Sequence, residues 1–379
     1  MDTTTREIGE RIRRAMTPGM TQRDLADQAG MTPDALSRAL NGHRGFATVE
    51  LIGIADLLDV DLQWLATGRH DPRQARLVAR HDWDAASGRR VNGGHSIDIE
   101  LLTPVLELYH QAYPAGVPSS RKLPSKATDV RERLGADFVI QFAERVEAVF
   151  EVDVVRLPSL NTAYSTMLEG ERGLVALVAE VHWYRNNWSL AHELGHLALG
   201  HSAADVSEEE AQRQEAEANK FAENLLLPRE LMNGVGWAAM SRSELATFLW
   251  RHGVSTKALK NRIAYLKIAV RADVLEALEL STPKLLTAYL PADPEDPHAF
   301  ARREQDSAAR RFPLGLLDTL TRRVAEGRVA PEQLAWALGV PVETVEPDDE
   351  ALADQYFRDM AHRAPSKASV ERAATQPAS

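Results

Sequence analysis

Trp188-Ser-Leu-Ala-His192-Glu193-Leu-Gly-His196-Leu-Ala-Leu-Gly-His201 is the stretch on which the reading of this chain turns. It contains H-E-x-x-H. On an α-helix, positions i and i+4 lie one turn apart on the same face. His192 and His196 can therefore present two imidazoles to one metal ion. Glu193 reaches the same cavity from the side, as a base for a water that the metal polarises. The flanks suit a helix. Asn186 or Asn187 is placed to cap its start, Leu190, Leu194 and Leu197 supply apolar packing, and Gly200 sits near its end.

Two histidines do not hold zinc firmly. A third protein ligand is expected, with a fourth position left open. The chain has no cysteine, so that ligand is His, Asp or Glu. Downstream, Ser207-Glu-Glu-Glu210 reads as a capping box. The run from about Glu208 to Leu227 reads as one helix, stopped by Pro228. Glu215 and Asn219 are i and i+4 and face the same way. Glu215 either ligates the metal, with Asn219 hydrogen-bonding a ligand histidine from behind, or is a surface carboxylate. Glu217 points elsewhere, into a solvated acidic face.

His192-Glu-Leu-Gly-His196, followed by Glu215-x-x-Ala-Asn219-x-Phe221-Ala222 and Leu-Leu-x-Pro228, resembles the ImmA/IrrE family of bacterial metallopeptidases over roughly Leu174 to Leu266. The Glu-x-x-Ala-Asn spacing also resembles the third-ligand helix of the thermolysin-like zinc peptidases, the gluzincins. The resemblance implies a zinc-dependent endopeptidase. His192, His196 and Glu215 would be the ligands and Glu193 the catalytic base. In the better-known members the substrate is a DNA-binding repressor. A set of two histidines and one glutamate with an open position also admits Mn2+ or Fe2+. His201 matches a histidine frequent after the motif, and reads as a polar residue at the helix end.

At 379 residues the chain has room for two or three domains, and 44% apolar with 26% charged residues describes ordinary globular material. The formal net charge of -11 excludes a chain coated in basic, nucleic-acid-binding surface, though not one small DNA-binding module. The missing cysteines fit a reducing compartment. The first residues carry no apolar signal core, and no apolar run approaches the ~18 residues of a membrane span. The expectation is a cytoplasmic protein with no membrane partner.

Residues 5–67 read as five short helices. Thr21 to Met31 gives a helix and a glycine turn. Thr32 to Gly42 gives a second helix, with Thr32 as cap and Pro33 at its first position. Thr48 to Leu58 and Asp61 to Leu65 follow. Leu25, Ala29, Leu36, Leu40, Leu51, Ile54, Leu58, Leu62 and Leu65 would close the core. This resembles the Cro/repressor-type (XRE) helix-turn-helix, in which the second helix enters the major groove. Asp34, Ser37, Arg38 and Asn41 would then reach base edges, and Gln22, Arg23 and Arg44 would touch phosphates. With 8 Arg against 10 Asp plus Glu in residues 1–70, affinity from counterion release should be modest. A homodimer on two half-sites would supply specificity.

The expected fold is α+β and mostly helical. Residues 1–68 form the all-α helix-turn-helix domain and 69–95 a Gly/Arg-rich linker. Residues 96–270 form the metallopeptidase domain, with helices Ile97–Tyr113 (restarting at Pro104) and Thr128–Phe150 and a small antiparallel sheet. That sheet is expected from Val152 to Trp183. Ser241 to Leu266 reads as a helix–turn–helix pair that packs on the peptidase core. Residues 271–363 form a helical C-terminal region, with a charged connection over Pro291–Phe312, and 364–379 a disordered tail. The function expected is a DNA-binding regulator that cuts a repressor-type protein to switch on stress-response or mobile-element genes. The alternatives are a metal-binding sensor without peptide cleavage and an antitoxin-like autorepressor.

Overall fold

The computed structural model describes residues 3–16, 20–58, 60, 62–67, 78–79, 82–84, 89–91, 95–168, 171–201 and 206–345. They belong to two units, 1–75 and 76–379.

The first unit holds five helices, α1 (Thr3–Ala15), α2 (Gln22–Gln28), α3 (Pro33–Leu40), α4 (Thr48–Leu58) and α5 (Leu62–Thr67). Their starts are written in the local sequence. Thr21 and Asp24 form a reciprocal capping box on α2. The Thr32 hydroxyl accepts from the Ala35 amide at the start of α3, where Pro33 opens the first turn. Ile12, Leu25, Leu36, Leu40, Ile54 and Leu65 are fully buried. Ala29 and Leu51 pack against that core from its rim, and Leu62 is exposed. A Cβ on Gly9 would stand 2.1 Å from the Leu40 carbonyl oxygen, so only glycine lets α1 lie this close to α3.

The second unit opens with β1 (Val78–Ala79), β2 (Asp82–Asp84) and β3 (Arg89–Val91). Then come α6 (His95–Ala112), α7 (Ala127–Leu134), a 3-10 turn, α8 (Phe142–Phe150), β4 (Asp153–Leu157), β5 (Tyr164–Leu168) and β6 (Arg172–Val178). The metal-motif helix is α9 (Trp183–Leu199), followed by α10 (Glu208–Leu226) and α11 (Arg229–Asn233). The rest is helical: α12 (Arg242–His252), α13 (Thr256–Leu266), α14 (Ala272–Ala277), α15 (Thr282–Tyr289), α16 (Ala299–Ala308), α17 (Leu314–Ala325) and α18 (Pro331–Leu338). The fold is α+β and mostly helical.

The main sheet has the order β1-β5-β6-β4. It is mixed, where an antiparallel sheet was expected. β5 and β6 form an antiparallel hairpin, but β4 pairs with β6 and not with its sequence neighbour β5, so β4 and β6 run parallel. β4 and β6 are accordingly buried on both faces, as parallel pairs usually are.

Three further expectations are corrected. α6 runs straight through Pro104: burial of Val105, Leu106, Leu108 and Tyr109 holds the helix, and the Thr103 hydroxyl donates to the Ile99 carbonyl. The helix expected over Thr128–Phe150 is cut where Gly135 (φ 80) and Asp137 (φ 52) enter positive φ. The expected charged connection contains α16, whose Phe300 and Arg303 pack on Trp183 and Trp250. The described residues of the expected linker 69–95 are those of β1 to β3 and His95, which opens α6. Its remaining residues and the expected tail 364–379 lie outside the described residues. α12 and α13 pack on the core of this unit: Arg262 is buried against Leu227, Glu223 and Asn224, and Lys260 pairs with Glu279. Among the described residues no helix is long and apolar enough to cross a membrane.

Arg311 adds a buried ion-pair anchor between the C-terminal helices and this core. The Arg311 backbone bridges Arg156 on the outer edge of β4. Its guanidinium makes a two-pronged pair with Glu147, at 2.6 and 2.7 Å, and also reaches Glu144. Arg311→Ala would leave two half-buried carboxylates without their closest cation. It is expected to cost roughly 2–3 kcal/mol of unfolding free energy, between the scales of exposed and fully buried pairs, read by urea denaturation, and a loss below about 1 kcal/mol, the scale of an exposed pair, would contradict this role.

Candidate metal centre

The site begins with α9. Its N-cap is His182, without a side-chain cap. Asn186 and Asn187, expected as caps, lie inside the helix and are buried. Asn186 donates to Ser307 and Asn187 to the Gly253 carbonyl, so both tie α9 to later segments. The helix ends at Gly200 in the left-handed region, φ 69. The Ser207 hydroxyl accepts from the Glu210 amide to start α10, without the reciprocal half of the expected box.

α9 and α10 cross closely at Gly195. A Cβ there would lie 3.1 Å from Ala218 Cα and from Phe221 Cβ. That approach brings Glu215 of α10 to the two histidines of α9. His192 Nε2 and His196 Nε2 are 3.0 Å apart. Glu215 lies 3.4 Å from the first and 3.6 Å from the second. Donors at zinc's usual ~2.0–2.2 Å, arranged tetrahedrally, would be about 3.3–3.6 Å apart. The three are buried and form a group that could hold a metal ion.

The donor chemistry fits a cation. His192 Nδ1 is 3.1 Å from Asn219 Oδ1, which can only accept, so Nδ1 carries the proton and the Nε2 lone pair faces inward. His196 Nδ1 is 3.0 Å from His201 Nδ1, and His201 Nε2 is 3.1 Å from Glu217 Oε2. One tautomer set serves this chain: His196 Nδ1–H donates to His201 Nδ1, and His201 Nε2–H donates to Glu217. Burial pushes the His201 imidazole down despite Glu217, which keeps its Nδ1 an acceptor. Two bare nitrogens and a carboxylate then converge within 3.0–3.6 Å, an arrangement that needs a positive charge at its centre.

Glu193 is fully buried beside this group, and the Ser165 hydroxyl of β5 donates to its Oε2 at 2.6 Å. The contributions of Ser165, His201 and Glu217 were not legible beforehand. Glu217 is exposed, as expected, and from that solvated face it also accepts from His201 Nε2. The signal was Gly200: a left-handed cap turns the next residue back over the last helical turn. His182 and Tyr184 stack on each other, and Tyr184 is buried in the core. Removing His201 as His201→Ala is expected to weaken metal affinity roughly 10–100-fold, measured by competition with a chelating dye. Unchanged affinity would mean that His201 does not position His196.

In the first unit, Gln22, Arg23, Asp34, Arg38 and Asn41 are exposed and Ser37 is half-buried. Asn41 accepts from Arg13 and donates to the Ser37 carbonyl. Arg44 is paired with Glu50, so its guanidinium is already engaged.

Residues 147–264 match the family model of the IrrE N-terminal-like domain, a peptidase family, and residues 12–65 match that of a helix-turn-helix. No curated protein and no solved structure matches the chain.

Proposed function

We propose that this chain, which joins a helix-turn-helix domain to an IrrE N-terminal-like peptidase domain, is a cytoplasmic DNA-binding regulator with a zinc-dependent endopeptidase centre. Its substrate would be a repressor-type protein, cut to switch on stress-response or mobile-element genes. The observation that carries this reading is the buried convergence of His192, His196 and Glu215 next to Glu193. The two histidines and Glu215 would hold the ion, Zn2+ or, with the same donors, Mn2+ or Fe2+. When bound, such an ion supplies Lewis acidity to a peptide carbonyl and acidifies a water. Glu193 takes the proton of the attacking water and hands it to the leaving amine. Ser165 fixes the direction of the Glu193 carboxylate, and Asn219 and His201 fix the histidine rings.

A second reading, a metal sensor without turnover, draws on one observation. His192, Glu193, His196 and Glu215 are 0%, 0%, 2% and 4% exposed, which leaves little room for a peptide in this state. The test is a search for new N-termini in a cell extract treated with the zinc-loaded chain or with Glu193→Gln. The peptidase reading expects cuts that require Glu193, and none with the wild-type chain would favour the sensor.

The first unit would bind DNA as a homodimer through α3. Arg38→Ala should cost ~1–3 kcal/mol of operator binding if the arginine makes a two-pronged base contact. It should leave metal content unchanged. Equal operator affinity in a gel-shift titration would remove Arg38 from the interface.

A further inference from the structure

We propose that the first unit recognises a guanine and a cytosine standing within about two base pairs of each other, with Arg38 on the guanine and Asp34 on the cytosine, and that Asp34 selects by rejecting the other bases. The proposal rests on the reading that this unit binds DNA through α3, and names the bases that α3 selects.

The structure narrows the base-reading groups of α3 to these two. Asn41, at the end of the helix, is already engaged on both sides of its amide. Its Oδ1 accepts from Arg13 at 2.6 Å and its Nδ2 donates to the Ser37 carbonyl at 2.9 Å. Ser37 is half-buried. Arg44, beyond the helix, is held by Glu50. Asp34 and Arg38 are exposed and, among the described residues, make no side-chain hydrogen bond or ion pair, with each other or with any neighbour. They stand at i and i+4, so they share one face and lie about 6 Å apart along the helix axis. Stacked base pairs rise ~3.4 Å each. The two side chains therefore reach bases one or two steps apart.

The chemistry of the major groove assigns the partners. Guanine offers two acceptors, O6 and N7, which match the donor fork of Arg38. A carboxylate needs a donor. Cytosine offers its N4 amino group and no acceptor beside it. Adenine offers N6 but sets the acceptor N7 next to it, and guanine and thymine present acceptors without a donor. Asp34 is therefore satisfied by cytosine and repelled elsewhere. It also stands among phosphates of its own sign, so a site without the cytosine leaves its charge desolvated and unpaired. General attraction to the backbone is small in a unit with 8 Arg against 10 Asp plus Glu in residues 1–70. Rejection at this base is then a large share of what separates one site from another.

The test selects bound duplexes from a pool of randomised DNA, using the full chain as wild type, Asp34→Asn, Asp34→Ala and Arg38→Ala. The wild-type chain should enrich sites that hold the guanine and the cytosine. Asp34→Asn keeps the shape of the side chain and replaces two acceptors with one acceptor and one donor, the pattern that fits adenine N7 and N6. It should keep the guanine and exchange the cytosine for adenine, with the preference between those two bases reversed by about tenfold or more. Arg38→Ala should keep the cytosine and take any base in place of the guanine. Asp34→Ala should take any base in place of the cytosine. It should also bind the sites that wild type rejects several-fold more tightly, because the penalty is gone, and a misfolded unit cannot produce that gain. Wild-type sites that lack the cytosine, or one unchanged site shared by all four chains, would overturn the proposal. Failure of the DNA-binding reading would appear separately, as no sequence enriched by the wild-type chain, and would overturn the proposal with it.

Discussion

Glu193→Gln is expected to leave the metal content of the chain unchanged and to reduce peptide cleavage by about 10²–10⁴-fold, the usual contribution of a positioned general base. The carboxamide keeps the size of the side chain, and its oxygen can still accept from Ser165. What it loses is the capacity to take a proton. Glu193 is not one of the three groups that converge on the candidate ion position, so zinc per chain should match wild type. Rates are to be compared on a substrate found from the extract experiment, with zinc measured on the same samples. A rate within a few-fold of wild type would remove Glu193 from the chemistry.

The second large effect is the loss of metal in Glu215→Ala. The two histidines remain on α9, but a pair is a poor zinc site. The deficit should exceed the ~10–100-fold that removal of an outer partner such as His201 produces. Glu217→Ala, two residues along the same helix, should act only through His201, and so more weakly. Equilibrium metal competition on the three variants should rank the losses Glu215, then His201, then Glu217. If Glu217→Ala empties the site while Glu215→Ala leaves it full, the ligand assignment is wrong.

Much of the centre could be read from residue spacing because a helix converts spacing into direction. His192 with His196, and Glu215 with Asn219, are each one turn apart, and each pair presents one face as expected. What spacing could not reveal depends on chain segments brought together from afar. Ser165 reaches Glu193 from a strand 28 residues away in sequence. His201 and Glu217 meet across the turn after Gly200. Asn186 and Asn187 look like caps locally, yet tertiary partners at Ser307 and Gly253 drew them into the helix. Pro104 and Gly135 mark the two ways a local rule can turn out. Burial along α6 overrode the proline, whereas nothing overrode the glycine. The mixed sheet was hidden because alternation and β-branching identify strands but not their partners. The strand β1 was hidden because two residues carry no period at all.

The central claim is that this regulator acts by cutting, not merely by holding a metal. It is tested most directly with a reporter driven by a promoter that the wild-type chain controls, in cells carrying either wild type or Glu193→Gln. Both chains should accumulate, carry metal and bind DNA alike. The account predicts that Glu193→Gln fails to switch the reporter, as a chain lacking Glu215 would. A wild-type response from Glu193→Gln would contradict it, and would leave a metal-binding sensor in place of a peptidase.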